Sequence, residues 1–461
     1  MDSESNPIEE TPVEAQPSVS QPKFSGNIIA LVGSSAFSVV VGFLLNVIIG
    51  RVFGPEGRGA YGIIGSFWPL AMTIGLFGVP IACTQLIARD REQATPFVQS
   101  AFTATLITMI IATLALPIVA MTSLSKSFHE LPPGSYWLTA ITLPLMMFNT
   151  YLEYSLRGVQ DFKKVGRSMI VWRSATLITV VLSYIIFHKS ILPMICSTIV
   201  AEIARSVYLL IACREKFGWK MITPTFDLPR LKLVATQGLG FYVGAVSAIF
   251  NYRADQLILA AYSPDAKAVG IYGMAVTAAE LLNVLNAGLA QALMPRIASM
   301  SDEEQRTALT AKSCRQSILT GFIAACFIGG TAPFLIPLAL GNAFRGSVPL
   351  LALLLPAVFV LGLHRIISSD FGGRGRPWVA SIANVLTMIV TGTLYFILIP
   401  QSGAYGAALA TLIGYSFVAI LIIAYFMKSY HVRLVDLLIP QKDDVQALAR
   451  KVGGKLARSR G

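Results

Sequence analysis

The sequence predicts an all-α polytopic membrane protein of about twelve transmembrane helices, built as two parallel-repeat six-helix lobes around a central cavity. Three observations predict it. The 461 residues are 54% hydrophobic and only 13% charged, about half the ~25% charge of a soluble domain. Runs of eighteen or more mostly apolar residues, each long enough to cross a bilayer as a helix, recur along nearly the whole chain. A motif at the entry to the second run returns about 210 residues later at the entry to the eighth.

The chain opens on a polar, acidic segment, Met1 to Lys23, rich in Pro, Ser and Glu and without an apolar core. It is expected to be a disordered cytoplasmic tail over residues 1–24 rather than a signal peptide. The apolar runs follow at 27–50, 60–88, 98–121, 135–156, 169–187, 191–213, 235–262, 268–294, 316–340, 347–367, 378–399 and 403–427, numbered as spans 1 to 12. They are about twice the ~9–11 alternating residues of a barrel strand, which excludes a β-barrel. A basic tail, residues 431–461, ends the chain. Within it, Asp443–Arg460 carries Val445, Leu448, Val452 and Leu456 at helical spacing among Lys and Arg, a pattern suited to an anionic leaflet. A solvated tail is the alternative, since Gly453 and Gly454 weaken the helix.

The repeat divides these spans. Gly54-Pro-Glu-Gly-Arg-Gly-Ala-Tyr-Gly62 opens span 2, and Ser263-Pro-Asp-Ala-Lys-Ala-Val-Gly-Ile-Tyr-Gly273 opens span 8. Each reads as a Pro-acid turn, a base, then Gly-x-Tyr-Gly. A second echo joins Arg157–Lys163, after span 4, to Phe371–Pro377, after span 10. Six spans separate the copies, so the halves are parallel repeats. The expected lobes are 25–213 and 235–430, joined by a linker, 214–234, that holds Pro224 and Pro229. The repeat glycines suit turns and close helix approach. Its tyrosines suit the interfacial belt. The pair is expected to mark an outer gate.

Charge gives the orientation. The loops after spans 2, 4, 6 and 8 carry 2, 4, 5 and 4 Lys and Arg, and the chain after span 12 carries 8. The loops after spans 1, 3, 5, 7, 9 and 11 carry 2, 1, 1, 1, 1 and 0. The positive-inside rule then places both termini in the cytoplasm of a multi-pass plasma-membrane protein. The net charge of +12 is thus a topology signal, and nucleic-acid binding, which would need a basic soluble domain, is excluded.

Catalytic and metal motifs are absent. There is no P-loop and no His-Glu-x-x-His, and only four histidines. The five cysteines, Cys83, Cys196, Cys213, Cys314 and Cys326, form no Cys-x-x-Cys pair. Neither a cofactor nor a metal is expected, and the chain reads as a non-enzyme.

Midplane charge is what remains to explain, because each such residue costs ~2.5–3.5 kcal/mol on insertion scales. At 1.5 Å rise per residue, Glu202 in span 6 lies about 16 Å deep, Glu280 in span 8 about 15 Å, and Arg253 in span 7 about 13 Å. Glu280, Asn283 and Gln291 share one helical stripe with Ala287 and Met294. Asn251 and Asp255 share a face of span 7, while Arg253 points elsewhere, with no acid on its own face. Glu202 and Arg205 are three apart and can touch, so a packing ion pair and a functional pair are both open. Asp255 has two open roles as well, ion coupling or neutralising a base across helices. Glu153 and Arg157 read as an ordinary helix pair. Arg173, His364 and Arg365 read as reaching the cytoplasmic interface, with a role at the entrance as the alternative.

These segments resemble the polysaccharide and oligosaccharide-lipid flippases of the multidrug/oligosaccharidyl-lipid/polysaccharide exporter superfamily. The resemblance rests on Arg51–Gly62, on Tyr252-Arg-Ala-Asp255, Val269–Ala275 and Leu293-Met-Pro295, and on Gly403–Ala408, and it spans about 25–430. It implies two six-helix lobes around a cationic cavity with alternating access. It implies a polyprenyl-diphosphate-linked oligosaccharide as substrate, moved across a bacterial inner membrane for surface polysaccharide synthesis. Lipids, a polymerase and glycosyltransferases are the implied partners. On that footing Arg253 and Arg205, with Asn251, Asn283 and Gln291, are expected to bind substrate, because arginine presents a planar fork to phosphate. Asp255, Glu280 and Glu202 are expected to couple an ion. A cation-coupled multidrug antiporter of the same superfamily is the nearest rival and needs an acid-rich chamber. A membrane polysaccharide polymerase or ligase is the rival from another class, and the short connection 122–134 argues against its large catalytic loop.

Overall fold

The computed structural model describes residues 22–122, 135–188, 190–263, 265–441 and 444. Among them nine helices are long and apolar enough to cross a membrane. Two of the nine cross twice. Helix α1, Pro22–Gly75, has 54 residues, which would extend about 80 Å against a ~30 Å hydrocarbon core. It bends at Gly54, where φ is 68° and ψ −172°, a conformation that favours glycine; Pro55, lacking an N–H, then starts the second arm at no hydrogen-bond cost. With these two doubled helices and α4 below, the chain makes twelve crossings in two six-helix lobes.

The remaining helices are α2 Val79–Arg89, α3 Ala94–Thr122, α4 Ser135–Gly158, α5 Phe162–Phe187, α6 Ile191–Phe217, α7 Leu228–Tyr262, α8 Ala266–Ser299, α9 Glu303–Leu340, α10 Ser347–Gly373, α11 Trp378–Tyr430 and the short α12 Leu434–Leu438. Helix α11 is the second doubled helix and bends at Gly403 (φ 53°). The expected loops 51–59 and 400–402 are therefore helical on both sides of a single glycine. Span 2 is instead broken in its middle: α1 ends at Gly75, Phe77 and Gly78 take positive φ, and α2 completes the crossing.

Short connections are spent on caps. The side chains of Asp161, Asp227, Asp265 and Asp302 each accept a backbone N–H at the start of α5, α7, α8 and α9, satisfying donors the helix itself leaves free. The connection between the lobes is shorter than the expected 214–234, because α6 runs to Phe217 and α7 begins at Leu228. It is also pinned: Tyr151 Oη donates to Met221 O at 2.6 Å, and Thr225 N donates to Thr103 Oγ1 at 2.8 Å.

The expected tail over 1–24 lies outside the described residues as far as residue 21. The connection 122–134 does so from residue 123, and the amphipathic stretch 443–460 does so apart from Asp444. That carboxylate accepts from Arg315 Nε at 2.6 Å.

Where the lobes meet, small side chains allow close backbones, as helices in lipid require when hydrophobic drive is absent. Ala60, Ile63, Ile64 and Phe67 of α1 pack with Ala254 and Leu257 of α7 and with Tyr272, Ala275, Ala278 and Leu282 of α8 in one buried cluster.

Candidate functional site

The two copies of the repeat touch each other. A methyl built on Gly59 would stand 1.9 Å from Ala266 O, and one on Gly270 would stand 1.9 Å from Pro55 O. Only glycine permits this approach, so α1 and α8 meet backbone to backbone at matching positions of the two lobes. One turn deeper the same symmetry frames a cation. The Arg58 guanidinium lies between Gly62 and Gly273, with Nη1 2.8 Å and 3.5 Å from where their methyls would be. Its Nη2 donates to Gly273 O at 3.2 Å and to Thr277 Oγ1 at 3.0 Å, tying the N-terminal lobe to α8. Ser66 Oγ adds a bond across the lobes to Gln256 Oε1 at 3.0 Å.

Beside this contact is a cavity of about 480 Å³ between the lobes. Arg58, Tyr61, Ser66 and Trp68 of α1 line it, as do Trp172 and Arg173 of α5 and Thr198 of α6. The opposite wall carries Arg253 and Gln256 of α7 and Thr277 and Glu280 of α8. Three arginines thus face one carboxylate. Arg58 is only 4% exposed, yet among the described residues its Nε and Nη1 have no hydrogen-bond partner, and neither do Arg173 Nε and Trp68 Nε1. Neither Arg58 nor Arg173 makes an ion pair among the described residues. Arg173 stacks over the Trp172 ring at 4.2 Å and lies against Gly42 of α1. Buried donors left open in this way are costly, and a ligand with several acceptor oxygens would satisfy them. The lining thus carries an excess of positive charge.

The lobes also touch farther along span 2. Phe77 stacks on Tyr242 at 5.0 Å and 13°, Tyr242 Oη donates to Ile74 O at 3.2 Å, and a methyl on Gly78 would stand 2.2 Å from Gly238 O. The cavity therefore lies between two levels of interlobe contact.

Of the residues predicted from sequence, Arg253 and Glu280 line the cavity. Arg253 does have an acid, supplied by the next helix: its Nη1 stands 3.7 Å from Glu280 Oε1. Asp255 makes no ion pair among the described residues. It is buried and accepts from Tyr272 Oη at 2.8 Å and from Gln256 N at 2.7 Å. Tyr272 is fully buried and Tyr61 lines the cavity, so neither repeat tyrosine sits in an interfacial belt. Tyr272→Phe leaves a buried carboxylate short of a donor and is expected to cost about 1–3 kcal/mol, read as a lower thermal midpoint in detergent.

Arg205 does not line the cavity. It pairs with Glu153 of α4, with Glu202 only 3.8 Å from its Nη1, and Arg157 shares Glu153 at 2.6 Å. The pair read as local to α4 is thus a three-residue cluster joining α4 to α6. Glu202 is fully buried behind it and accepts from Asn149 Nδ2 at 2.7 Å. Removing the shared acid with Glu153→Ala strands two arginines and is expected to destabilise the protein by up to about 3 kcal/mol. Glu153→Gln should recover part of the loss in the same melting experiment. Asn251 does not line the cavity, and its Nδ2 donates to Asn384 O at 3.1 Å. Neither Asn283 nor Gln291 lines the cavity. Gln291 is exposed, and Asn283 Oδ1 is buried without a partner.

Sequence reasoning missed Arg58 and Arg173 as site residues. Arg58 read as part of a loop, and Arg173 as reaching the interface. Glycines at 57, 59 and 62 around Arg58, and Trp172 next to Arg173, were the available signals of a guanidinium given room inside the protein.

Two six-helix lobes with an arginine-lined cavity between them define a polytopic membrane protein with a site between its lobes. The chain belongs to the Polysaccharide biosynthesis protein family, which matches residues 25–301. Stage V sporulation protein B of Bacillus subtilis (strain 168) is 23% identical over 428 residues, 85% of this chain and 81% of that protein. Among solved structures, the lipid II flippase MurJ in an inward closed conformation superposes with a TM-score of 0.73 at 14% identity, covering 89% of each chain. A multidrug resistance MATE family transporter of the MOP superfamily, inward-facing, superposes with a TM-score of 0.69 at 16% identity, covering 86% of this chain and 94% of that one. The resemblance is borne out in family, as a polysaccharide biosynthesis protein, and in fold.

Proposed function

We propose that the protein is a flippase for polyprenyl-diphosphate-linked oligosaccharides used in surface polysaccharide synthesis, working by alternating access. One observation carries the reading: the N-terminal-lobe wall of the cavity presents Arg58 and Arg173 with open guanidinium donors and no acid. A diphosphate offers several anionic oxygens, and arginine forks match them. A cationic drug would meet two uncompensated positive charges, which weighs against the antiporter reading. Membership of a polysaccharide biosynthesis family supports a glycan on the lipid, and the flippase relative supports a lipid carrier.

The charge asymmetry of the loops places the basic ends in the cytoplasm. Transport then runs from the cytoplasmic leaflet to the leaflet at the repeat end of the bundle, across a bacterial inner membrane. Arg58 and Arg173 hold the diphosphate, with Arg253 beside them on the other lobe. Glu280 is the acid placed to exchange an ion with the cavity, whereas Asp255 and Glu202 are held in buried contacts. The polymerase and glycosyltransferases that consume and make the substrate are the natural partners.

The test is reconstitution. Proteoliposomes carrying a fluorescent polyprenyl-diphosphate oligosaccharide should move it between leaflets, while the same lipid with a neutral headgroup stays put. Equal movement of both lipids, or of neither, would contradict the proposal.

A further inference from the structure

The charge of the cavity is divided by lobe. The N-terminal-lobe wall holds Arg58 and Arg173, neither paired to an acid among the described residues. The C-terminal-lobe wall holds Arg253 and Glu280, which neutralise each other at 3.7 Å. That pair is not packed away: the two side chains are 32% and 37% exposed, and both line the cavity. A 3.7 Å separation is a loose ion pair rather than a closed bidentate fork. Both groups therefore keep hydrogen-bonding capacity turned toward the space between the lobes.

The two walls suit different chemistry. Unpaired guanidinium groups attract anions. A guanidinium beside a carboxylate has no net charge, yet it offers donors and acceptors together. Vicinal hydroxyls on a sugar ring are matched to such a pair, because each hydroxyl both donates and accepts: the carboxylate takes one hydroxyl proton while the guanidinium donates to the neighbouring oxygen. An acidic sugar is a poor guest there, because its carboxylate would face Glu280.

We propose that Arg253 and Glu280 form a sugar subsite that reads the hydroxyls of the residue attached to the diphosphate and selects a neutral sugar over an acidic one. The inference rests on the flippase reading above and adds a division of labour to it. The diphosphate binds at Arg58 and Arg173, and the first sugar binds on the adjoining C-terminal-lobe wall. Arg253 is thereby reassigned from anion ligand to hydroxyl ligand.

The experiment measures the affinities of the full-length protein in nanodiscs for three probes: polyprenyl diphosphate capped by a methyl ester (the bare probe, with the same diphosphate charge as a glycosyl ester), glucosyl polyprenyl diphosphate and glucuronosyl polyprenyl diphosphate. The wild type should bind the glucosyl lipid about tenfold tighter than the bare diphosphate, and the glucuronosyl lipid no tighter than the bare one. In Glu280→Gln the loss of a negative charge strengthens every anion, so the ratios are read. The glucosyl-to-bare preference should fall at least threefold, and the glucuronosyl-to-glucosyl ratio should rise. A purely electrostatic Glu280 leaves the glucosyl-to-bare ratio unchanged, because the methyl-capped and glucosyl probes carry the same charge, and that result overturns the subsite. Wild-type protein that binds the bare diphosphate but gains nothing from the sugar overturns the subsite and leaves the flippase reading standing. Failure to bind any of the three overturns the flippase reading itself. Binding of the bare diphosphate by Glu280→Gln also certifies that the variant is folded.

Discussion

Replacing Arg58 by Ala is expected to weaken binding of polyprenyl diphosphate by roughly 10- to 150-fold, the equivalent of the ~1.5–3 kcal/mol of a charge-assisted hydrogen bond. Among the described residues the guanidinium has two partners, both on α8 through Nη2, so Nε and Nη1 remain for a ligand. Because Arg58 also joins the lobes, its loss could act through structure, and Arg173→Ala separates the two effects. Arg173 makes no ion pair across the lobes among the described residues. It should lose affinity over the same range while its thermal midpoint stays near that of the wild type. Lysine at either position keeps the charge but not the fork, so partial affinity should remain. Isothermal titration of the detergent-purified protein reads all four variants. Unchanged affinity in both alanine variants would remove the anion site.

The second large effect is expected at Gly59. Its Cβ position falls 1.9 Å from Ala266 O and 2.7 Å from the Ala266 carbonyl carbon. The obstacle is backbone, not a side chain that can rotate away. Gly59→Val should therefore prevent the lobes from meeting at the repeat end and hold that end open. Ser66, 1% exposed beneath the contact, supplies the reporter. Ser66→Cys, in a chain lacking the five native cysteines, should react with a membrane-impermeant maleimide at least tenfold faster when Gly59 is Val. Gly65→Ala is the control, since nothing lies within 4 Å of its Cβ position. Unaltered labelling with Val at 59 would show that the Gly59–Gly270 contact is not a seal.

These two residues also show how far the sequence carried. Twelve crossings were legible because lipid demands long apolar runs, and the duplication was legible because both copies kept Gly-x-Tyr-Gly. The kinks were not: Gly54 read as part of a loop between apolar runs and Gly403 as the first residue of a new span, although the backbone is helical on both sides of each. Depth counted from the end of an apolar run found Arg253 and Glu280, which lie mid-run. It missed Arg58, because the helix begins at Pro55 and buries a residue that stands before the run. It missed Arg173, four residues into span 5, because a run shows where lipid ends and not how far a polar cavity reaches between helices. For Glu202, Asp255 and Arg205, pairing decided the matter. Each has partners on another helix, Asn149, Tyr272 and Glu153, which no spacing along one helix reveals. The repeat tyrosines diverged for the same reason: Tyr61 faces the cavity while Tyr272 is bonded to Asp255.

The central claim is that the cavity receives an anion through its N-terminal-lobe arginines. Titrating the purified protein in nanodiscs with polyprenyl diphosphate and, separately, with a lipophilic cation tests it most directly. The diphosphate should bind, more weakly as salt is raised, and lose affinity in the Arg58→Ala, Arg173→Ala double variant; the cation should not bind. Binding of the cation with no measurable affinity for the diphosphate would contradict the account.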